Sequence, residues 1–590
     1  MMFGNLKTKL LNQRKQFSFR LIFFSLFIIH TILLLNLSWS TSSNRTEIGH
    51  IGAAVYFWNT GRFDIFCVNP PLTRFLCGIP IVLAQPNYDW TGYSPRPQDR
   101  AEWEIGCGFI RVNDEDHIRL SFFLGRLMLI PLILLGGWFG YRFASELYGR
   151  GSGIVFLIFW TFSPLFLGWG AAICPDMPAA AAGVIGLYYF WHWLKRPEWG
   201  QAIVAGILLG LMSLTKMTWI IAFPLYVFLW GMWRVSSIMK TEIRRVPFKQ
   251  LVLLLLIGLY IINMGYAFDG SFRPLGKFAF SSQTLTGHKT VSGVTITGNR
   301  FTESWLGKIP VPLPADFVLG IDTQKLDFER GMRSYLDGET KDGGWKSYYL
   351  YVLLYKEPIG SMVLFGIAVG MTFWTLISRR IINRNELIPL ITAIVLFTFV
   401  SLQDGISIHP RYILPALPPV YIFTAKTGRL FSRRIFAFFI AICLAAFTAG
   451  SMMQYPHSMS FFNIIAGGVK NGPNHLLGSC TDWGQSSYFL RNWCRKHPDT
   501  VLETSVWTED QIKRFGVQNA KPLDQNKFPD GTDRGLPSGW YALSVNDLYE
   551  METAQPFKKL TPIKEFGASI WIYHIAEETA PSVEKTLQAK

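Results

Sequence analysis

Charge is scarce in this sequence. Asp, Glu, Lys and Arg make up 16% of its 590 residues, against about 25% in soluble domains. That argues against a chain folded wholly in water. Cysteine is sparse too: seven residues, with no C-x-x-C pair and no His-rich tract, so no structural zinc module is expected. There is no low-complexity segment and no sequence repeat. The missing repeat counts against a transporter, because transporter folds tend to be built from internal repeats.

Apolar residues are abundant, at 50% of the chain, with 15% aromatic. They come in runs of roughly 17–25 residues, the length that crosses a bilayer as helix. Eleven runs are read, at 21–39, 120–141, 152–173, 177–194, 201–215, 218–233, 250–268, 359–377, 387–403, 410–425 and 435–453. The 410–425 run holds four prolines and is expected to be kinked or partly re-entrant. With a cytoplasmic N-terminus, the stretches 1–20, 142–150, 195–200, 234–249, 378–386 and 426–434 face the cytoplasm. They hold 21 Lys and Arg against four acids, which leaves 35 basic and 36 acidic residues elsewhere. The whole +16 charge thus sits on one side, the positive-inside pattern, and the basic composition needs no nucleic acid to explain it. The first run is long for a cleaved signal and is expected to stay as an anchor.

The expected fold class is therefore a polytopic α-helical membrane protein with about eleven transmembrane helices over 1–453, in the plasma or inner membrane. An odd count puts the C-terminus outside, together with three large polar pieces: 40–118, 269–357 and 454–590. Cys67, Cys77, Cys107, Cys480 and Cys494 lie in those pieces, where a disulfide is allowed. In the first piece, 43–72 reads as helix as far as Asn59, with Gly61 at the stop and Pro70-Pro71 breaking it. The apolar stretch 72–84 is too short to span and fits a helix lying on the membrane surface. In the second, "TGHKTVSGVTITGNRFTESWLGKIPVPLPADF" reads as loop and short strand. The third is read as a small soluble α/β domain, with a helix near Leu490 and Trp493 and strands at "GWYALSV" and "SIWIYHI".

A lone acid at an outer membrane face is as often solvated as functional. Three placements stand out. Glu47 has His50 at i+3 on the same helix face. Asp176, in "AAICPDMPAAAAG", sits at the outer mouth of two closely packed spans, where an acid is a functional candidate. Asp64, in "GRFDIF", is the weaker third. Arg411 and His409 in "SIHPRYILPALPP", Lys216 in "SLTKMTW" and Arg126 inside the second run supply cations; snorkelling is the plain alternative for each. Together these residues could hold an anionic headgroup whose tail stays in the bilayer. A carboxylate can deprotonate an acceptor hydroxyl, and cations stabilise a phosphate leaving group.

The motif order "TEIGH…TGRFDIFCVNPPL", "PDMPAAAAG", "GLMSLTK" and "HPRYILPALP" resembles the GT-C membrane glycosyltransferases. Within them it is similar to the dolichyl-phosphate-mannose protein mannosyltransferases and the aminoarabinose transferases of lipid A. The resemblance implies a GT-C fold and inverting transfer of a sugar on the outer side. The donor would be a polyprenyl-phosphate sugar and the acceptor a protein, lipid or glycan hydroxyl. One departure is clear: the family's first loop carries Asp-Glu with the Asp as base, and this chain has Thr46-Glu47. On that pattern either Glu47 or Asp176 takes the role, or the chain is inactive or differently specialised; Glu47 is the expected base, supported by His50, with Asp176 orienting the acceptor or the first loop. Arg411, His409, Lys216, Arg126 and Asp64 are expected around the substrate. No cofactor is required, although a divalent ion at Glu47, His50 and Asp176 is compatible. The competing readings are a polytopic transporter or flippase and a non-catalytic cell-envelope scaffold, the latter favoured by Thr46.

Overall fold

The computed structural model describes residues 2–91, 93, 99–238, 246–287, 297–379, 383–403, 405–506, 509–524 and 536–576. Backbone polar groups have no partner in hydrocarbon, so each apolar run must close its own hydrogen bonds as helix, and each of the eleven runs lies on helical chain. Seven helices are long and apolar enough to cross a bilayer: Phe19–Ser40, Glu115–Tyr148, Met217–Val235, Phe248–Gly265, Ile359–Ser378, Arg384–Ser401 and Arg434–Met453. Arg150–Phe162 and Pro164–Gly170, bent by 53° at Ser163, make an eighth if taken as one span. This is an integral membrane protein.

The other three runs differ from simple spans for physical reasons. Asp176–Lys195 is buried along nearly its whole length, so neighbouring helices and not lipid set its composition. Trp199–Thr215 has only 17 residues. The proline-rich run is broken, as its prolines require: a 3-10 segment at Pro410–Ala416 leads into the short helix Leu417–Thr424. The helix Glu115–Tyr148 has 34 residues, about 50 Å at 1.5 Å per residue. It overshoots a hydrocarbon core of about 30 Å.

The first polar piece, 40–118, begins with the helix Arg45–Thr60. Asn44 and Glu47 form a reciprocal capping box at its start, and Gly61 ends it at φ 70°, a left-handed cap that glycine adopts freely. The short apolar stretch after Pro71 is a helix, Leu72–Leu83, with Thr73, Cys77 and Ile81 inward and Leu83 exposed. A helix that the sequence reading did not single out, Glu102–Val112, packs across Arg45–Thr60. The approach is close: a Cβ on Gly52 would lie 2.7 Å from the Gly106 nitrogen.

The second outer piece supplies the helix Ala315–Arg330, the hairpin of β1 (Arg333–Leu336) and β2 (Glu339–Asp342), and the helix Tyr348–Lys356. Of the loop expected ahead of it, residues 288–296 lie outside the described residues. The C-terminal stretch forms a five-stranded sheet from β3 (Leu502–Thr504), β4 (Ala520–Pro522), β5 (Gly539–Ser544), β6 (Lys564–Phe566) and β7 (Ile570–Ile575), in the order β4-β3-β5-β7-β6. The expected strands are β5 and β7, which pair antiparallel with Tyr541 opposite Tyr573. Side chains alternate across the sheet. Ala542, Ile570 and Ile572 pack with Leu490 and Cys494 of the helix Ser487–Lys496, and Tyr541, Leu543, Trp571 and Tyr573 fill the other face. All seven cysteines are unpaired, so the disulfide allowed in the outer pieces does not form.

Candidate active site

The segment Ser42–Thr46, between the first span and the first outer helix, is held from the C-terminal stretch. Ser42 N donates to the Gln485 carbonyl at 3.1 Å and Arg45 N to the Trp483 carbonyl at 2.8 Å. Ser42 Oγ donates to the Gly484 carbonyl at 2.7 Å. These bonds place two consecutive residues, Thr46 and Glu47, in different surroundings.

Glu47 is sealed. Its carboxylate accepts from Arg126 Nε at 2.8 Å and Nη2 at 2.7 Å. Ile173 N at 2.7 Å and Asn44 N at 2.9 Å supply two further donors. Arg126 also donates to the Ser38, Thr41 and Ser42 carbonyls. Both side chains are buried and neither lines the large cavity described below. This is a bidentate ion pair with its remaining hydrogen-bond capacity used, the condition under which a buried pair is tolerated.

Thr46 faces a cavity of about 360 Å³. Five of the candidate residues meet there: His50, Asp176, Lys216, His409 and Arg411. Asp176 opens the helix Asp176–Lys195, where its charge is favoured by the helix dipole. Lys216 follows the end of Trp199–Thr215 in extended conformation and donates to Asp176 Oδ1 at 2.5 Å. Arg411 Nε lies 3.6 Å from Asp176 Oδ2, and Arg411 also donates to the Thr46 hydroxyl. The indole of Trp483 donates to the same hydroxyl at 2.9 Å. Thr46 thus occupies, with a neutral acceptor, the point where Arg411 and Trp483 converge.

Residues without a sequence signal complete the lining. Arg100 bridges Glu102, at 2.6 Å, and Asp327, and Arg330 stands on the same helix as Asp327. The charged lining is Arg100, Lys216, Arg330 and Arg411 against Asp176 and Asp327, and each of those carboxylates pairs with a cation. The site suits an anion. His50 borders it with both ring nitrogens enclosed and without hydrogen-bond partners. Burial, then the neighbouring Arg74, Arg411 and Arg100, pushes its imidazole well below the ordinary pKa, so the ring is neutral.

Three expected residues are not brought to the cavity. Glu47 and Arg126 are occupied with each other, and Asp64 pairs with Arg62 and accepts from Tyr93 Oη at 2.8 Å. Glu47, His50 and Asp176 do not fit a metal ion together, because both Glu47 oxygens are taken by Arg126 and backbone amides. Among the described residues no group of three His, Cys, Asp or Glu side chains is placed to hold one.

Residues 119–262 match the family model of the dolichyl-phosphate-mannose-protein mannosyltransferases. No curated protein matches the sequence. Among solved structures, the chain is similar to ArnT from Cupriavidus metallidurans bound to undecaprenyl phosphate. That similarity has 11% identity and a TM-score of 0.43, over 95% of this chain and 99% of that one. It is also similar to the archaeal oligosaccharyltransferase AglB from Archaeoglobus fulgidus in complex with an inhibitory peptide and a dolichol-phosphate. There the identity is 12% and the TM-score 0.45, over 95% of this chain and 75% of that one. The family match takes in Asp176 and Lys216, two of the residues at the cavity. The matched stretch is about a quarter of the chain and takes in two of the four sequence motifs, "PDMPAAAAG" and "GLMSLTK".

Proposed function

We propose that this chain transfers a sugar from a polyprenyl-phosphate donor to an acceptor hydroxyl at the outer face of the membrane, with inversion. One observation carries the reading. Thr46, Asp176, Lys216, Arg411 and Trp483, the first and last of them 437 residues apart, converge on a single cavity whose charged lining is four cations against two carboxylates. Lys216 and Arg411 take the donor phosphate, and Arg100 and Arg330 line the same cavity. Asp176 fixes the two main cations in place before the donor arrives, so that they need not reorganise as charge develops on the leaving phosphate. Glu47 and Arg126 brace the loop instead of touching substrate.

We assign the donor's tail to a second, apolar cavity. The segment Pro410–Ala416 carries Arg411 and runs directly into Leu417–Thr424, about 12 Å further along at the 3-10 rise. That helix lines a groove of about 510 Å³ with Leu354, Phe365, Leu390 and Phe397. A phosphate at Arg411 with its chain in this groove needs no apolar surface in water.

The test is binding of polyprenyl phosphate to purified protein in lipid nanodiscs. Arg411→Gln and Lys216→Gln should each weaken it at least tenfold, with the fold intact. Affinities within twofold of wild type would sink the assignment. A scaffold role is the second reading, favoured by Thr46 at the place of the family's Asp; a scaffold would bind no donor and turn none over.

A further inference from the structure

If the proposed transfer is right, the acceptor hydroxyl must lose a proton, and the carboxylates are badly placed to take it. Thr46 has none to offer. Asp176 is held by Lys216 and Arg411, Asp327 by Arg100, and Glu47 is sealed against Arg126. The His50 nitrogens are enclosed.

His409 remains. The Ser479 hydroxyl lies 2.9 Å from the Ile408 carbonyl and 3.0 Å from His409 Nδ1. In the tautomer with its proton on Nδ1, the imidazole donates to that hydroxyl and keeps a lone pair on Nε2. Among the described residues Nε2 has no hydrogen-bond partner, and the ring borders the cavity. Trp483 and Tyr412 hold the ring in T-shaped contacts at 5.0 and 5.3 Å. Burial, then Arg411 and Lys216, keeps the ring neutral. A neutral imidazole presenting a lone pair accepts from a hydroxyl and repels a phosphate oxygen. The sequence expectation that His409 binds substrate then applies to the acceptor, not to the donor phosphate.

We propose that His409 Nε2 is the catalytic base, replacing the carboxylate lost at Thr46, with Ser479 as its positioning residue. The acceptor oxygen attacks the anomeric carbon and forms the new C–O bond. The bond from that carbon to the phosphate oxygen breaks, and polyprenyl phosphate leaves with the electron pair. The hydroxyl proton passes to Nε2 and is later released to water or to the departing phosphate.

The test uses the full chain in nanodiscs with a radiolabelled polyprenyl-phosphate sugar, following turnover and donor Kd separately. His409→Gln should lower kcat about 100-fold, the usual scale for losing a general base, with donor Kd within twofold of wild type. Ser479→Ala should lower kcat about tenfold, again without changing Kd, and serves if His409→Gln does not fold. The pH profile should lose its acid limb in His409→Gln. The charged and titratable groups around the ring are Arg411, Lys216, Tyr412 and Asp176, none of which is altered in either variant. A tenfold rise in Kd with unchanged kcat would return His409 to the phosphate and overturn the proposal. So would turnover within threefold of wild type in either variant. If wild type turns over no donor at all, the transferase reading fails along with the base; in the other two outcomes it stands.

Discussion

Glu47→Gln separates bracing from catalysis. The carboxylate receives four donors, two from Arg126 and one each from the Ile173 and Asn44 amides. Glutamine keeps one oxygen and turns an NH2 group toward donors, and it leaves the Arg126 charge buried without a counter-ion. Breaking a buried pair on one side costs about 3–5 kcal/mol. Arg126→Gln should cost a similar amount, since it strands the carboxylate instead. The double variant removes both charges, so its loss should fall well short of the sum, with a coupling of at least about 2 kcal/mol. The assay is reversible unfolding in mixed micelles, titrated with SDS, on the wild type and the three variants. Single losses below about 1 kcal/mol, or a double loss equal to the sum, would refute the bracing account. A fully stable Glu47→Gln protein with no transfer would instead make Glu47 the base.

Other outcomes follow from the same geometry. Thr46→Asp places a carboxylate where Arg411 and Trp483 converge. In a His409→Gln background it should restore at least a tenth of the lost turnover, and no restoration would count against Thr46 and His409 as alternatives for one task. Asp547, in the C-terminal stretch, is pushed up to about 6, first by burial and then by Asp482 against the opposing Ser505 hydrogen bond. A carboxyl raised on folding adds stability below its unfolded pKa near 4 and loses it as pH rises through about 6. Asp547→Asn should therefore melt higher than wild type at pH 8 and equal to it at pH 4; a lower Tm at pH 8 contradicts the sign. Trp483→Phe keeps the ring but loses the bond to Thr46, and should raise the donor or acceptor KM severalfold while leaving the unfolding midpoint within about 1 kcal/mol; an unchanged KM would remove Trp483 from the site.

The membrane fold was legible because hydrocarbon enforces helix wherever the chain is apolar, and the run edges matched helices even where a run is too short or too bent to count as a span. Asp176–Lys195 shows the limit. It reads as one more apolar run of spanning length, but it is buried along nearly its whole length, and composition does not distinguish one apolar surrounding from another. The site was half legible. Asp176, Lys216, His409 and Arg411 stood out as charges at the ends of apolar runs, and they do meet. Glu47 stood out for His50 at i+3 on its helix face and turned instead toward Arg126, because a capping box points its carboxylate back at its own helix start. Arg100, Asp327 and Arg330 carried no signal, since a charge in a polar loop is the ordinary case. Trp483 stands just ahead of the helix expected near Leu490, and only the hydrogen bonds between 42–46 and 483–487 bring it to Thr46.

The most direct measurement is release of polyprenyl phosphate from a radiolabelled polyprenyl-phosphate sugar by the purified chain, by thin-layer separation of the lipid products. The account predicts release by wild type and at least a tenfold loss in Arg411→Gln and Lys216→Gln that still unfold like wild type. No release from any donor in the panel by folded wild-type protein would contradict it.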